Sequence, residues 1–287
     1  MVAKMLDGQA AAESIRQQLR QRIERLREAG VTPGLGTLLV GDDGPSHLYV
    51  SMKHRDAADL GLYSVEVQLD AQASSIDVRS QIEQLNSNES IHAFIVQYPF
   101  PEGLDYNAHI DEVDPAKDAD GLHPVNLGRL VMGDEAPLAC TPAGIVELLR
   151  FHGIDLAGKH VAIIGRGMTI GRPLANLLTL KRAGCNAAVS VVHTGFADLA
   201  SITRTADVVV SAAGQPDLVT PDMIRPGAVV VAAGVSFVDG KACSDVRDDV
   251  AEVAGWLSPR IGGVGPMTRI MLFANTIAAA EKLAGVS

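Results

Sequence analysis

Cysteine is scarce, with only Cys140, Cys185 and Cys243 among 287 residues. They lie far apart, with no CxxC and no Cys/His ligand spacing, which excludes a disulfide framework or a zinc-ligand set as the organising feature. A reducing compartment suits such a chain, and a cytoplasmic location is expected. Excess positive charge is lacking too: 24 Lys and Arg stand against 34 Asp and Glu, a formal net charge of -10. Nucleic acid and anionic membrane surfaces would repel the chain overall, so neither is an expected partner. No apolar run approaches the ~18 residues of a membrane span. The opening MVAKMLDGQAAAESI lacks the unbroken apolar core of a signal peptide, and a soluble protein is expected. The eight histidines are scattered, and Asp118, Asp120 and His123 lack a further ligand, so no metal site is expected.

What is present is apolar residue in quantity. A 47% hydrophobic content over this length can fill two cores of ordinary size. After Asp7 as a cap, Ile15, Leu19, Ile23 and Leu26 recur at helical spacing until Gly30. GTLLVGDDG reads as a strand entering a turn. Ser46 is the expected cap of a second helix, HLYVSMKHRDAADL, stopped by Gly61. YSVEVQL alternates as a strand, and SIDVRSQIEQLN carries Ile76, Val78, Ile82 and Leu85 as a helix. HAFIVQYPFP is a strand broken by Pro99 and Pro101. The order is βαβαβ. A loop, DPAKDADGLHPVNLGRL, leads to the helix CTPAGIVELLRFHG, with Thr141 and Pro142 at its start and Gly153 at its stop.

Beyond that point HVAIIG, VSVVHT, ADVVVSAAG and GAVVVAAG are solid apolar runs, the pattern of parallel strands buried on both faces. The expected fold is therefore α/β with two domains. Residues 1–139 form an α/β substrate domain, completed by a C-terminal helix over 265–287. Residues 140–264 form a Rossmann-type, doubly wound parallel sheet, and a cleft between the two domains is the expected site.

In HVAIIGRGMTIGRPLANLL, the residues Gly165, Gly167 and Gly171 follow a buried strand and open a helix whose Leu174, Leu177 and Leu178 face inward. Such glycines let a pyrophosphate approach the backbone, where the helix amino end supplies unpaired N–H groups. The spacing is GxGxxxG, one residue longer than the usual fingerprint, and a turn without a ligand is its ordinary reading. The second strand bears on the choice of ligand. Dinucleotide sites for NAD place an acid about 20 residues on, against the ribose hydroxyls; here VSVVHTG offers His193 and Thr194. With no carboxylate to repel a 2'-phosphate, Arg166 and Thr194 are expected to bind that of NADP.

In the first half, YVSMK places Tyr49 and Lys53 four residues apart on one helical face. That helix follows a strand directly, so its start lies near the strand's carboxyl end, where open α/β sheets bind ligands. Gln97 closes FIVQ at the same edge, and Asp118 and Asp120 follow in a Gly-containing turn. Each has an ordinary role: wet-tipped surface cover, a satisfied strand end, a turn cap. Placed together beside a cofactor domain, they are expected to act jointly. A Tyr and Lys at this spacing are also similar to the short-chain dehydrogenases. There the pair follows the glycine loop, whereas here it precedes the loop by more than a hundred residues.

Six ordered blocks, VGDDGPSHLYVSMK, FIVQYPFP, PAKDADGLHPVNLGRL, ACTPAGIVELL, IGRGMTIGRPLANLL and SPRIGGVGPMTR, carry a resemblance to the bifunctional methylenetetrahydrofolate dehydrogenase/cyclohydrolase family over nearly the whole chain. The resemblance implies oxidation of 5,10-methylenetetrahydrofolate with NADP, hydrolysis of the methenyl product to 10-formyltetrahydrofolate in the same cleft, a homodimer, and a place in one-carbon metabolism that serves purine biosynthesis. It also implies roles for residues. Lys53 is the general acid/base, Gln97 tunes it, Tyr49 positions the folate and Asp120 holds the pterin ring. Gly165, Arg166, Gly167, Gly171, Thr194 and Val235 bind the cofactor, and Gly262, Gly263 and Pro266 contact the folate. A lysine partly desolvated beside a cationic substrate is expected to have a lowered pKa, which suits proton transfer near neutrality.

The chain departs from the family pattern at Gly167 (usually Ser), Ala232 (usually Asp), Ser244 (usually Gly), and Arg260 and Ile261 (usually Val-Pro). Two further readings stay open: a cyclohydrolase with weakened dehydrogenase activity, and a noncatalytic NADP-binding module.

Overall fold

A computed structural model describes residues 2–238 and 241–286 of the chain. In chain order the strands and helices are β1 (Lys4–Met5), α1 (Gly8–Glu28), β2 (Gly34–Val40), α2 (Gly44–Leu60), β3 (Tyr63–Leu69), α3 (Ser75–Ser87), β4 (Ala93–Val96), α4 (Tyr106–Ile110) and α5 (Pro124–Met132). There follow α6 (Cys140–Phe151), β5 (His160–Ile164), α7 (Gly171–Thr179), β6 (Ala188–Val192), α8 (Leu199–Thr203), β7 (Val208–Ser211), β8 (Val229–Ala232), β9 (Val235–Val238), β10 (Lys241–Ser244), β11 (Trp256–Leu257) and α9 (Val264–Ala284).

Contacts divide these elements into two compact units. One comprises Ser14–Arg129, Glu135–Leu138 and Arg269–Ser287; the other comprises Met1–Glu13, Leu130–Asp134 and Ala139–Thr268.

The first unit is built on a three-stranded sheet of order β3-β2-β4, parallel throughout. Every residue of the central strand β2 is buried, which suits a run whose one polar side chain is Thr37. Edge strand β3 alternates between exposed and half-buried positions, as its sequence alternates. Leu38, Val40, Val78, Ile82, Leu85, Ile91, Phe94 and Val96 form a core between sheet and helix. Ile76 is 75% exposed and does not join them, because it lies two residues from Val78 and so on another face of α3. A capping box between Ser74 and Asp77 starts that helix.

The cap of α2 is Asp43 rather than the expected Ser46. With Pro45 in the first turn the helix begins a turn early, and the Asp43 carboxylate accepts from the Ser46 N–H at 3.0 Å and the Ser46 hydroxyl at 2.6 Å. Gly61 closes the helix at φ 79°. The segment read as a continuous loop before residue 131 contains a 3-10 turn at Pro115–Lys117 and the helix α5. Within this unit Arg269 binds Asp56 at 2.8 Å, and Arg22 grips Glu281 through two bonds of 2.9 and 2.6 Å.

The second unit carries a six-stranded parallel sheet of order β1-β11-β8-β7-β5-β6. Met1–Glu13 groups here because Lys4 and Met5 add a strand beside Trp256 and Leu257. Strands β7 and β8 are buried throughout and β5 from Val161 on, as runs of Val and Ile require on two-sided sheets. Strand β6 differs from expectation: it lies at the sheet's edge, and only Val192 of its five residues is buried. Helix α6 starts at Cys140 with no side-chain cap, and Thr141 instead meets Thr268, hydroxyl to hydroxyl, at 3.0 Å. An antiparallel pair, β9 and β10, adds a separate two-stranded sheet.

Candidate active site

In the first unit the strand-end chemistry converges. Lys53, on the buried face of α2, is 8% exposed, and its Nζ donates to Gln97 Oε1 at 2.9 Å. The orientation of that amide is fixed from the other side, because Gln97 Nε2 donates to the Tyr98 carbonyl at 2.7 Å. The Gln97 backbone N–H in turn binds the Leu38 carbonyl at 2.8 Å, continuing the β2 register past the end of β4. An ammonium group and an oriented amide therefore stand together at the carboxyl end of two parallel strands. The Tyr49 ring, one turn before Lys53 on α2, lies with its centroid 6.0 Å from Nζ and is 43% exposed. It covers the ammonium while offering an open aromatic surface.

Asp120 is half-buried on the turn after the 3-10 helix, and its neighbour Asp118 explains the placement. Asp118 Oδ1 accepts from the Gly121 N–H at 2.9 Å, and Oδ2 accepts from the His123 N–H at 2.8 Å and Asn126 Nδ2 at 2.9 Å. The Ala119 N–H binds the Phe94 carbonyl at 3.1 Å, and Asn275 donates to the Ala119 carbonyl at 2.9 Å. The turn is thus tied to β4 and to α9. Asp118 is taken up by these donors, and Asp120 accepts none of them.

Burial raises the Asp120 pKa above the usual carboxylate range; the Lys53 charge opposes the shift and the Asp118 charge adds to it. A raised folded-state pKa favours the neutral acid. Its contribution to stability is complete below the ordinary aspartate value of about 3.9 and is lost as pH rises through the folded value. Asp120→Asn, which keeps the shape without the charge, is therefore expected to gain in melting temperature over wild type as pH rises. Thermal scans of both proteins from acid to mildly alkaline pH check this, and a constant difference contradicts it.

One neighbour went unread in the sequence. His54, adjacent to Lys53, places Nε2 2.8 Å from the Thr37 hydroxyl and Nδ1 2.9 Å from the Ser64 hydroxyl. Burial lowers its pKa, Glu66 opposes that shift and the Lys53 charge adds to it. A single histidine beside a lysine carries no spacing signal, so only the structure shows that it fixes α2 against β2 and β3.

The glycine loop lies in the second unit, between β5 and α7. Gly165 takes φ 125°, and a Cβ there would overlap the Ala212 carbonyl oxygen. A Cβ on Gly171 would overlap the Gly165 carbonyl oxygen. The first and last glycines are therefore required by the backbone's own close approach. Gly167 differs: a Cβ there meets nothing within 4 Å, so the backbone tolerates a side chain at that position. Arg166 and Thr194 are exposed, and His193 is half-buried. The loop has the features a dinucleotide phosphate needs: a backbone cradle, a helix amino end, an exposed cation, and no acid at the end of β6.

Val235, 47% exposed, opens β9 in the same unit. Gly262, at φ 84°, accepts at its carbonyl from the Gly8 N–H at 2.9 Å, Gly263 is buried, and Pro266 sits half-buried in the first turn of α9. These three belong to the glycine-loop unit rather than to the unit of Lys53. Four departures from the family pattern, Ala232, Ser244, Arg260 and Ile261, line one cavity of about 370 Å³ in the second unit, which none of the expected catalytic residues reaches. Among the described residues there is no group of three or more His, Cys, Asp or Glu able to hold a metal ion, and no helix long and apolar enough to cross a membrane.

Residues 6–120 match the profile of the tetrahydrofolate dehydrogenase/cyclohydrolase catalytic domain, and residues 139–284 match that of the family's NAD(P)-binding domain. The bifunctional protein FolD of Syntrophotalea carbinolica is 49% identical over 284 residues, 99% of this chain and 98% of that protein. The FolD methylenetetrahydrofolate dehydrogenase/cyclohydrolase of Campylobacter jejuni superposes with a TM-score of 0.93 at 35% identity, covering 98% of this chain and 99% of that one. The Trypanosoma brucei enzyme, solved with NADP and an inhibitor, gives 0.92 at 36% identity, covering 99% of both chains. With profile matches to both domains and relatives similar along their full length, the chain belongs to the tetrahydrofolate dehydrogenase/cyclohydrolase family.

Proposed function

We propose that this protein oxidises 5,10-methylenetetrahydrofolate with NADP and hydrolyses the methenyl product to 10-formyltetrahydrofolate. The observation that carries the hydrolytic half is the 2.9 Å bond from Lys53 Nζ to an amide that is itself oriented by the Tyr98 carbonyl. Water adds to the methenyl carbon, the bond from that carbon to one ring nitrogen breaks, and a proton is released. In its free-amine form Lys53 takes the proton of the attacking water, and the ammonium so formed returns a proton to the departing nitrogen. Gln97 holds the amine in position, Tyr49 offers its ring to the folate, and Asp120 accepts N–H donors of the pterin.

The loop of Gly165, Arg166, Gly167 and Gly171, with Thr194 and Val235, holds NADP, which when bound accepts the hydride released from the methylene carbon. Arg166 on the glycine loop and Thr194 after β6 select the 2'-phosphate, the one supplying a guanidinium and the other a hydroxyl, in a unit where no acid follows the end of β6. A charge-assisted hydrogen bond is worth about 1.5–3 kcal/mol. Arg166→Ala is accordingly expected to weaken NADP about 10- to 100-fold while leaving NAD nearly unchanged. Calorimetric titration of both cofactors tests this, and an unaltered preference for NADP removes Arg166 from the argument.

A homodimer is part of the same proposal. Among the described residues strand β6 leaves one edge of the six-stranded sheet unpaired, with Val191 42% exposed on it, and proteins commonly cover such edges. Light scattering on the purified chain should return twice the 30.1 kDa protomer mass, and the protomer mass alone would contradict it.

A further inference from the structure

Asp245 is the most constrained carboxyl in the second unit, and it lies outside every role assigned so far. It is fully buried, at 0% exposure, directly after β10. Its Oδ2 accepts three bonds: from the Ser211 hydroxyl at 2.9 Å, the Ala213 N–H at 2.7 Å and the Gly214 N–H at 3.1 Å. Its Oδ1, also buried, has no partner among the described residues. The donors all come from the turn that leaves the carboxyl end of β7, so the carboxyl gathers that turn onto one oxygen.

Two further segments meet beside the same group. The N–H groups of Ala233 and Gly234 both bind the Ser211 carbonyl at 2.8 Å, bringing the turn after β8 to the same place. Gly234 is packed so closely there that a Cβ would overlap Asp245 Oδ2. The residue after Gly234 is Val235, placed above at the cofactor. On the other side, the Ala212 carbonyl oxygen, inside the turn that Asp245 gathers, is the atom that a Cβ on Gly165 would strike. The Ala212 N–H binds the Ile164 carbonyl at 2.7 Å, so this turn also forms the wall behind the glycine loop. The turn that this buried carboxyl gathers therefore lies between the glycine loop and the Gly234–Val235 backbone and touches both.

We infer that Asp245 is a positioning residue for NADP, aligning the Gly165 loop with the Gly234–Val235 turn through the hydrogen bonds it gathers from residues 211–214. The inference rests on the reading of that loop as the NADP site. It requires an acceptor oxygen at the Oδ2 position but no negative charge as such.

Substitutions in the full-length protein test it by NADP titration calorimetry, the melting temperature without cofactor, and the rate of methenyltetrahydrofolate hydrolysis. Asp245→Asn retains an amide oxygen for the three donors and buries an NH₂ where Oδ1 had no partner. It is expected to melt lower than wild type while binding NADP within about threefold of it. Asp245→Ala removes the acceptor and is expected to weaken NADP at least about tenfold, with hydrolysis within about twofold of wild type. Gly234→Ala forces the carboxyl aside from the opposite direction and should reproduce that loss, so the test stands even if Asp245→Ala does not fold.

Wild-type NADP affinity in Asp245→Ala or Gly234→Ala would overturn the inference. So would a loss of NADP binding and hydrolysis that merely follows melting temperature across all three variants. If wild type itself binds no NADP, the cofactor reading falls first and this one with it; if wild type binds and Asp245→Ala binds equally, only this one falls.

Discussion

Replacing Lys53 with Met should reduce methenyltetrahydrofolate hydrolysis by about a thousandfold, the middle of the range for loss of a general acid/base. Lys53 is nearly buried, and its ammonium lies 2.9 Å from an amide oxygen held in place by its own second bond. The effect is therefore loss of a proton carrier and not of a surface charge. Met fills the volume but leaves Gln97 Oε1 without its donor. Lys53→Gln restores a donor that cannot carry a proton at neutral pH. The two variants are expected to lose hydrolysis alike, with folate binding retained and methylene oxidation better preserved in the Gln form. A spectroscopic assay of methenyl decay beside one of NADPH formation checks both statements. Near-normal methenyl decay in either variant would remove Lys53 from the proposed chemistry.

The second large effect is expected at Gly165. Its φ of 125° is a conformation that residues with a Cβ rarely adopt, and the added carbon would overlap the Ala212 carbonyl oxygen. Gly165→Ala must move either the loop or the turn after β7, and backbone strain of this kind costs about 1–3 kcal/mol. NADP affinity should fall by roughly 10- to 100-fold. Hydrolysis should persist, because Lys53, Gln97 and Asp120 belong to the other compact unit. Gly167→Ser is the control, since that position has open space around a Cβ and should bind NADP as wild type does. Cofactor titration of the two variants distinguishes a backbone requirement from a mere preference for small residues, and equal affinities would contradict the steric account.

How much of this could be read from the sequence depended on whether the signal was local. Strands β2, β5, β7 and β8 announce themselves because a parallel strand covered on both faces needs a largely apolar run. Strands β1 and β11 have two residues each and no run to see; they exist only because each finds a neighbour in the sheet. Helix α5 was hidden by Pro124 and Gly128 within a segment rich in turn residues. The start of α2 is ambiguous in sequence because Asp43 and Ser46 are both good caps, and Pro45 in the first turn favours the earlier one.

The site divides in the same way. Lys53 and Gln97 were legible because a helix face after one strand and the end of another must approach a common edge. Asp118 and Asp120 looked alike in sequence and separate only in three dimensions, one consumed by backbone donors and one left open. Asp245 could not have been found at all: its partners are two backbone N–H groups and one serine, and neither kind of partner leaves a pattern.

The central claim is that oxidation and hydrolysis use separable sets of side chains on one chain, and it is tested most directly by product stoichiometry. When Lys53→Gln protein is given methylenetetrahydrofolate and NADP, NADPH and the methenyl chromophore are measured together over time. Methenyl is expected to accumulate one for one with NADPH in the variant, whereas wild type releases the formyl product with little methenyl in transit. Formyl product appearing at the rate of NADPH in the variant would contradict it.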